Sequence, residues 1–208
     1  MKKYTLFLTA LLIGAVLSAQ SNLRGLFVNL DGQINSLQYE DNDWAEGARG
    51  YGFNAKLGYG LGSTTLYLGT GLTFAEGNAA TRFGEDYRIR DTELGARFHF
   101  GRNPGRVVAY AEVVGRLATS EPYTGIRTRG GGMALAPGLL IYLGENVALD
   151  TRVRVAGTYV YDVENVGIDL TFPGESYSYA TAGFHLGVTF YPSVRRARYR
   201  FERGGGHL

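Results

Sequence analysis

One stretch, Tyr51 to Phe74, constrains the chain more than any other: YGFNAKLGYGLGSTTLYLGTGLTF. In its first arm Tyr51, Phe53, Ala55, Leu57 and Tyr59 fall on one face, and Gly52, Asn54, Lys56, Gly58 and Gly60 on the other. After Leu61-Gly62-Ser63, Leu66, Leu68, Thr70, Leu72 and Phe74 share a face, with Tyr67, Gly69, Gly71 and Thr73 opposite. A repeat of two is the period of a strand, so the stretch predicts two strands joined by a tight turn. Each arm is about ten residues long, the length a tilted strand needs to cross the hydrocarbon core of a bilayer.

The rest of the chain repeats this unit. Leu26, Val28, Leu30 and Ile34 alternate with Phe27, Asn29, Asp31 and Gln33 in a first strand over about 24–35. A fourth strand, 87–100, has Tyr87 and Ile89 out of phase with Leu94, Ala96, Phe98 and Phe100, which predicts a bulge near Arg90 to Thr92. Val107 to Leu117, Met133 to Ile141, Val147 to Tyr159 and Ala180 to Phe190 supply the remaining alternations. Pro137 lacks an N–H and is expected to mark an irregularity in the sixth strand. The eight strands are separated by connections that alternate in length. Short turns fall near 61–63, 101–105 and 144–146, and long polar segments at 38–49, 76–85, 119–131 and 162–176. Short turns at one end and long loops at the other are the pattern of an up-and-down antiparallel barrel in an outer membrane.

The N-terminus points to export. Lys2 and Lys3 precede an apolar run from Tyr4 to Leu17, and Ser18-Ala19 follows. This reads as a signal peptide over 1–19, cleaved after Ala19. Removing Lys2 and Lys3 from 21 basic residues leaves 19 against 19 acidic ones, so the mature chain is neutral and no nucleic acid partner is implied. The absence of cysteine excludes disulfides, thiol catalysis and Cys-based zinc sites. The barrel is expected over 20–191, and a basic periplasmic tail, disordered, over 192–208.

Alternation alone does not say which face is outside. A soluble, secreted ligand-binding barrel buries the apolar face, and a membrane barrel inverts it. Three features favour inversion. The polar face carries both signs of charge in mid-strand: Lys56, Glu93, Arg97, Glu112, Arg116, Asp150, Arg152 and Arg154, with His185 among them. In a narrow lumen these residues form an ion-pair network, as buried charges require. The same face is rich in glycine, which makes room for long neighbours: a turn near Gly144 sets Arg152 and Arg154 opposite Gly138 and Ala136. Aromatic residues on the apolar face gather near strand ends. Tyr51, Phe74, Tyr159 and Tyr161 mark an outer girdle, and Tyr59, Phe98, Phe100 and Phe190 an inner one.

Over about Arg24 to Tyr191 the chain resembles the small eight-stranded outer-membrane barrels, the OmpA-transmembrane and OmpX-like group. The resemblance rests on architecture. It implies a last strand closed by an aromatic residue that assists insertion, which places that signal at Gly187, Phe190 and Tyr191 and implies the barrel-insertion machinery as a partner. The tail beyond Tyr191 departs from many members, which stop there.

Little in the sequence points to chemistry. His99 and His185 take the polar-face phase and are read as packed lumen residues, and no metal-binding spacing appears. Glu40-Asp41-Asn42-Asp43 lacks the glycine and spacing of a calcium loop. Arg82, Arg88, Arg127 and Arg129 fall near the outer rim, where they are either lipid-phosphate contacts or ordinary loop charges. The expectation is a monomeric outer-membrane protein with no cofactor and no catalytic residues. Its side-chain-filled lumen is closed, and its structural or surface-interaction role is carried by the long loops. Its partners are outer-membrane lipids, lipopolysaccharide and an extracellular ligand at the loops. The alternatives are a narrow channel for ions or small solutes and a lipid-modifying enzyme.

Overall fold

The computed structural model describes residues 23–39, 48–77, 86–100, 107–123, 126–144, 146–165 and 176–191. The leader, the acidic segment at 40–43, Arg82 and the tail lie outside them. Eight strands follow in order: β1 Leu23–Tyr39, β2 Ala48–Gly62, β3 Thr64–Ala75, β4 Tyr87–Phe100, β5 Val107–Tyr123, β6 Ile126–Tyr142, β7 Val147–Asn165 and β8 Tyr177–Phe190. Each pairs antiparallel with the next, and β8 pairs back onto β1 to close the barrel. Closure leaves no sheet edge, which a span through lipid requires.

The faces are inverted relative to a soluble barrel. Leu30, Leu68, Leu94 and Met133 are 60–65% exposed on the outside, whereas Arg97 and Glu112 are 0% and 1% exposed within. No soluble protein leaves so continuous an aliphatic surface bare. The hairpin Tyr51–Phe74 pairs in the register its alternation implies, Tyr51 with Phe74 and Leu57 with Leu68. Its turn holds Gly62 at φ 109°, a left-handed conformation open to glycine and costly for side chains.

Two expectations fail. β4 has no bulge: its pairing with β3 and β5 runs without a shift from Arg88 to Phe98. Tyr87 and Ile89 are buried inside the barrel, and Arg88 and Arg90 project outward. Apolar residues were assumed to face lipid along the whole strand, but above the bilayer the lumen is capped by apolar side chains and the rule reverses. The segment 119–131 is also not a long loop. β5 continues to Tyr123 and β6 starts at Ile126. Its polar composition reflects strands that rise beyond the apolar band, where outward residues meet headgroups and water instead of acyl chains. The other connections at that end span 40–47, 76–86 and 166–176. β7 carries one extra residue, Tyr161, between the pairs Gly130–Val160 and Arg129–Asp162. Pro137 stays within β6, and pairing to β7 is recorded on either side of it, at Leu135 and Gly138.

Candidate functional site

The lumen is built in three layers. Near the periplasmic end Leu23, Phe27, Tyr67, Tyr110, Leu140 and Tyr191 pack together. At the opposite end Leu37, Tyr39, Tyr87, Ile89, Tyr177 and Tyr179 form a second cluster, in which the hydroxyls of Tyr39 and Tyr87 are hydrogen-bonded. Between them lies the ionic layer. Among the described residues the buried charges are Lys56, Arg97, Arg116, Arg152 and Arg154 against Asp31, Asp91, Glu93, Glu112 and Asp150. Five cations face five carboxylates, so these ten charges cancel.

Glu112, on β5, is the hub. It accepts from Lys56 Nζ on β2 at 2.8 Å and from Arg97 on β4 at 2.7 Å, and Arg152 Nε on β7 lies 3.8 Å away. Arg97 also reaches Asp150 at 2.8 Å, and Asp150 accepts further bonds from Thr189 at 2.7 Å, Asn29 at 3.1 Å and the Tyr110 hydroxyl. Arg152 binds Asp31 at 2.6 Å, and His185 Nδ1 lies 2.9 Å from the other Asp31 oxygen. Two outlying pairs complete the layer: Arg154 with Glu93 at 2.6 Å and Arg116 with Asp91 at 2.5 Å. Buried ions are tolerated only when paired with opposite charge in this way.

Glycines make the packing possible. Tyr67 pairs with Gly95 and Tyr110 with Gly138, and any Cβ on those glycines would meet the tyrosine ring. The rings lie flat across the neighbouring strand and carry the cations: Arg97 sits 4.0 Å from the Tyr110 centroid and Lys56 4.6 Å from that of Tyr67. Gly138 also faces Arg152.

The structure brings Lys56, Glu93, Arg97, Glu112, Arg116, Asp150, Arg152, Arg154 and His185 into this layer. Asp31, Asp91, Asn29 and Tyr110 complete it and were not singled out from the sequence. Asp91 was hidden by the bulge assigned to β4. Alternation from Glu93 without a phase break would have found it. His99 is fully buried, with Nε2 3.0 Å from the Tyr191 hydroxyl and Nδ1 3.3 Å from the Ser63 carbonyl. Among the described residues neither His99 nor His185 has a serine or threonine hydroxyl as a hydrogen-bond partner.

The girdle residues Tyr51, Tyr59, Phe74, Phe98, Phe100, Tyr159, Tyr161 and Phe190 all point outward. Tyr51 and Phe74 stack at 5.5 Å. The proposed terminal pair divides: Phe190 faces out, while Tyr191 is buried against Phe27 at 5.2 Å. Gly187 faces inward over Asp31. An open groove of about 500 Å³ crosses β6, β7, β8 and β1, lined by the outward positions Gly131, Gly157, Ser178 and Ala180 and by inward neighbours such as Tyr39 and Tyr179. No group of side chains suited to a metal ion occurs among the described residues.

A closed eight-stranded antiparallel barrel with an apolar exterior and an ionic interior is a transmembrane barrel of the outer-membrane type. The chain shares its fold with Neisserial surface protein A, at a TM-score of 0.62 and 14% identity over 80% of this chain and 97% of that one. It is also similar to Ail, the attachment invasion locus protein of Yersinia pestis, with 11% identity, 80% and 97% coverage and a TM-score of 0.48. OprG, an outer membrane protein of Pseudomonas aeruginosa, matches at 10% identity, 82% and 97% coverage and a TM-score of 0.48. The sequence itself matches no family model and no curated relative.

Proposed function

We propose that this protein is a closed outer-membrane barrel with a structural and surface-interaction role, presented by the connections at its extracellular end. The observation that carries this reading is the neutral ionic layer, capped above and below by aromatic clusters. A permeant ion would have to break charge-assisted bonds contributed by strands on all sides of the lumen, and an eight-stranded barrel has room only for its own side chains. The work then falls to the surface, where an extracellular ligand meets the connections at 40–47, 76–86 and 166–176. The lumen residues hold shape, and none is assigned a catalytic role. The girdle residues anchor the barrel at its two interfaces, and of the terminal signal Phe190 is the surface read by the insertion machinery, while Gly187 and Tyr191 face the lumen.

Planar-bilayer recording on the purified barrel tests the closed lumen. The expected trace has no unitary current steps. Steps that vanish when Glu112 or Arg152 is replaced by alanine would establish the channel reading instead. An altered lipid A profile on overexpression would establish the lipid-modifying one.

A further inference from the structure

We propose that the outside of β4–β6 binds a phosphate-bearing lipid of the outer leaflet, its phosphate held by Arg90 and Arg129. Four arginines project outward there in two rows. Arg88 pairs with Glu121 in the upper row, and Arg127 lies one strand further on, facing Glu164. In the lower row Thr119 is flanked by Arg90 on one side and Arg129 on the other. Strands lie about 4.8 Å apart, so the lower pair sits about 10 Å apart with a small hydroxyl residue between, a gap two extended guanidinium arms can close on one phosphate.

Charge and depth both fit this occupant. Arg127 is held by Glu121 at 3.2 Å, and Arg129 by Glu164 at 3.2 Å with Asp162 at 3.8 Å on its other nitrogen. Among the described residues no carboxylate lies within ion-pair distance of Arg88 or Arg90. Four guanidinium groups against Glu121, Asp162 and Glu164 leave an unmatched positive charge. Below Arg90 the outward positions of β4 are Thr92, Leu94, Ala96, Phe98 and Phe100. Ten residues of a strand tilted about 40° rise about 26 Å, the height of an apolar band, so Arg90 sits at its upper boundary, where lipid phosphates lie. On β6 the next outward position beneath Arg129 is Gly131, the head of the open groove that continues to Gly157 and takes the acyl chain. Arginine is suited to such a contact because its planar fork matches phosphate oxygens in pairs. The site depends on the barrel spanning the membrane. It does not depend on what the loops contact or on whether the lumen conducts.

The test is native mass spectrometry of the full folded protein in mild detergent, titrated with diphosphoryl lipid A. One lipid is expected to bind. Arg90→Gln with Arg129→Gln should weaken binding about tenfold or more. Gly157→Leu should also weaken it by filling the groove. A Cβ there meets nothing within 4 Å, so the change leaves the fold intact. Arg49→Gln, on the outside of β2 and away from the cluster, should bind like the parent, and a gel of unboiled protein reports folding for every variant. Wild-type binding by either the arginine pair variant or Gly157→Leu overturns the site. So does equal binding of dephosphorylated lipid A, or displacement of the lipid by millimolar inorganic phosphate.

Discussion

At the scale of single residues, the ionic layer is a set of mutual obligations. Arg154 and Glu93 show this most simply, because each has one close ion-pair partner at 2.6 Å and both are nearly dry. Removing one member leaves the other ionised in a lumen with little water. Glu93→Gln or Arg154→Met alone should therefore destabilise the barrel by about 3–5 kcal/mol. Glu93→Gln with Arg154→Met removes both charges and should cost less than the two single changes added together. Urea titration followed by the mobility of the unboiled band measures this, and simple addition of the two single costs would refute the coupling. Glu112→Gln is the severer case, because Lys56, Arg97 and Arg152 all converge on that carboxylate. Its loss should exceed that of either single change at Glu93–Arg154 in the same assay.

At the scale of elements, β4 carries two environments on one strand. From Glu93 to Phe100 the greasy residues face out. From Tyr87 to Asp91 they face in, and arginines take the outside. The backbone is regular throughout, so the change lies in the surroundings and not in the strand. Leu94 sits between the two girdles with a 65% exposed side chain. Leu94→Arg should cost about 2–4 kcal/mol in a bilayer, the cost of an arginine near the midplane. Arg90→Leu, at the upper boundary, should be close to neutral for stability. Refolding into lipid vesicles, read by tryptic protection, separates the two; equal tolerance of both would contradict the assigned depth.

The whole molecule separates what stabilises it from what it presents. Closure of β8 onto β1, the ionic layer and the apolar exterior all lie within the barrel wall and lumen. The connections at 40–47 and 166–176 lie between consecutive strands in the chain. Replacing both by short turn sequences should leave the unboiled band folded while removing cell-surface binding measured on intact cells. Loss of the folded band would show instead that these segments hold the barrel together.

Much of this was legible in the chain. Alternation with period two names the faces of most strands, because a strand's side chains obey that period wherever they sit. It also named nine residues of the ionic layer as inward. It could not say who binds whom: Glu112 meets Lys56 from 56 positions away and Asp150 meets Asn29 from 121. Nor could it locate the level at which lipid gives way to water. Hydrophobicity encodes a side chain's preference for an environment, whereas the height at which each environment begins is set by tilt, stagger and closure of all eight strands together. That is why the inward tyrosine cap and the outward place of Arg90 on β4 emerged only with the tertiary structure.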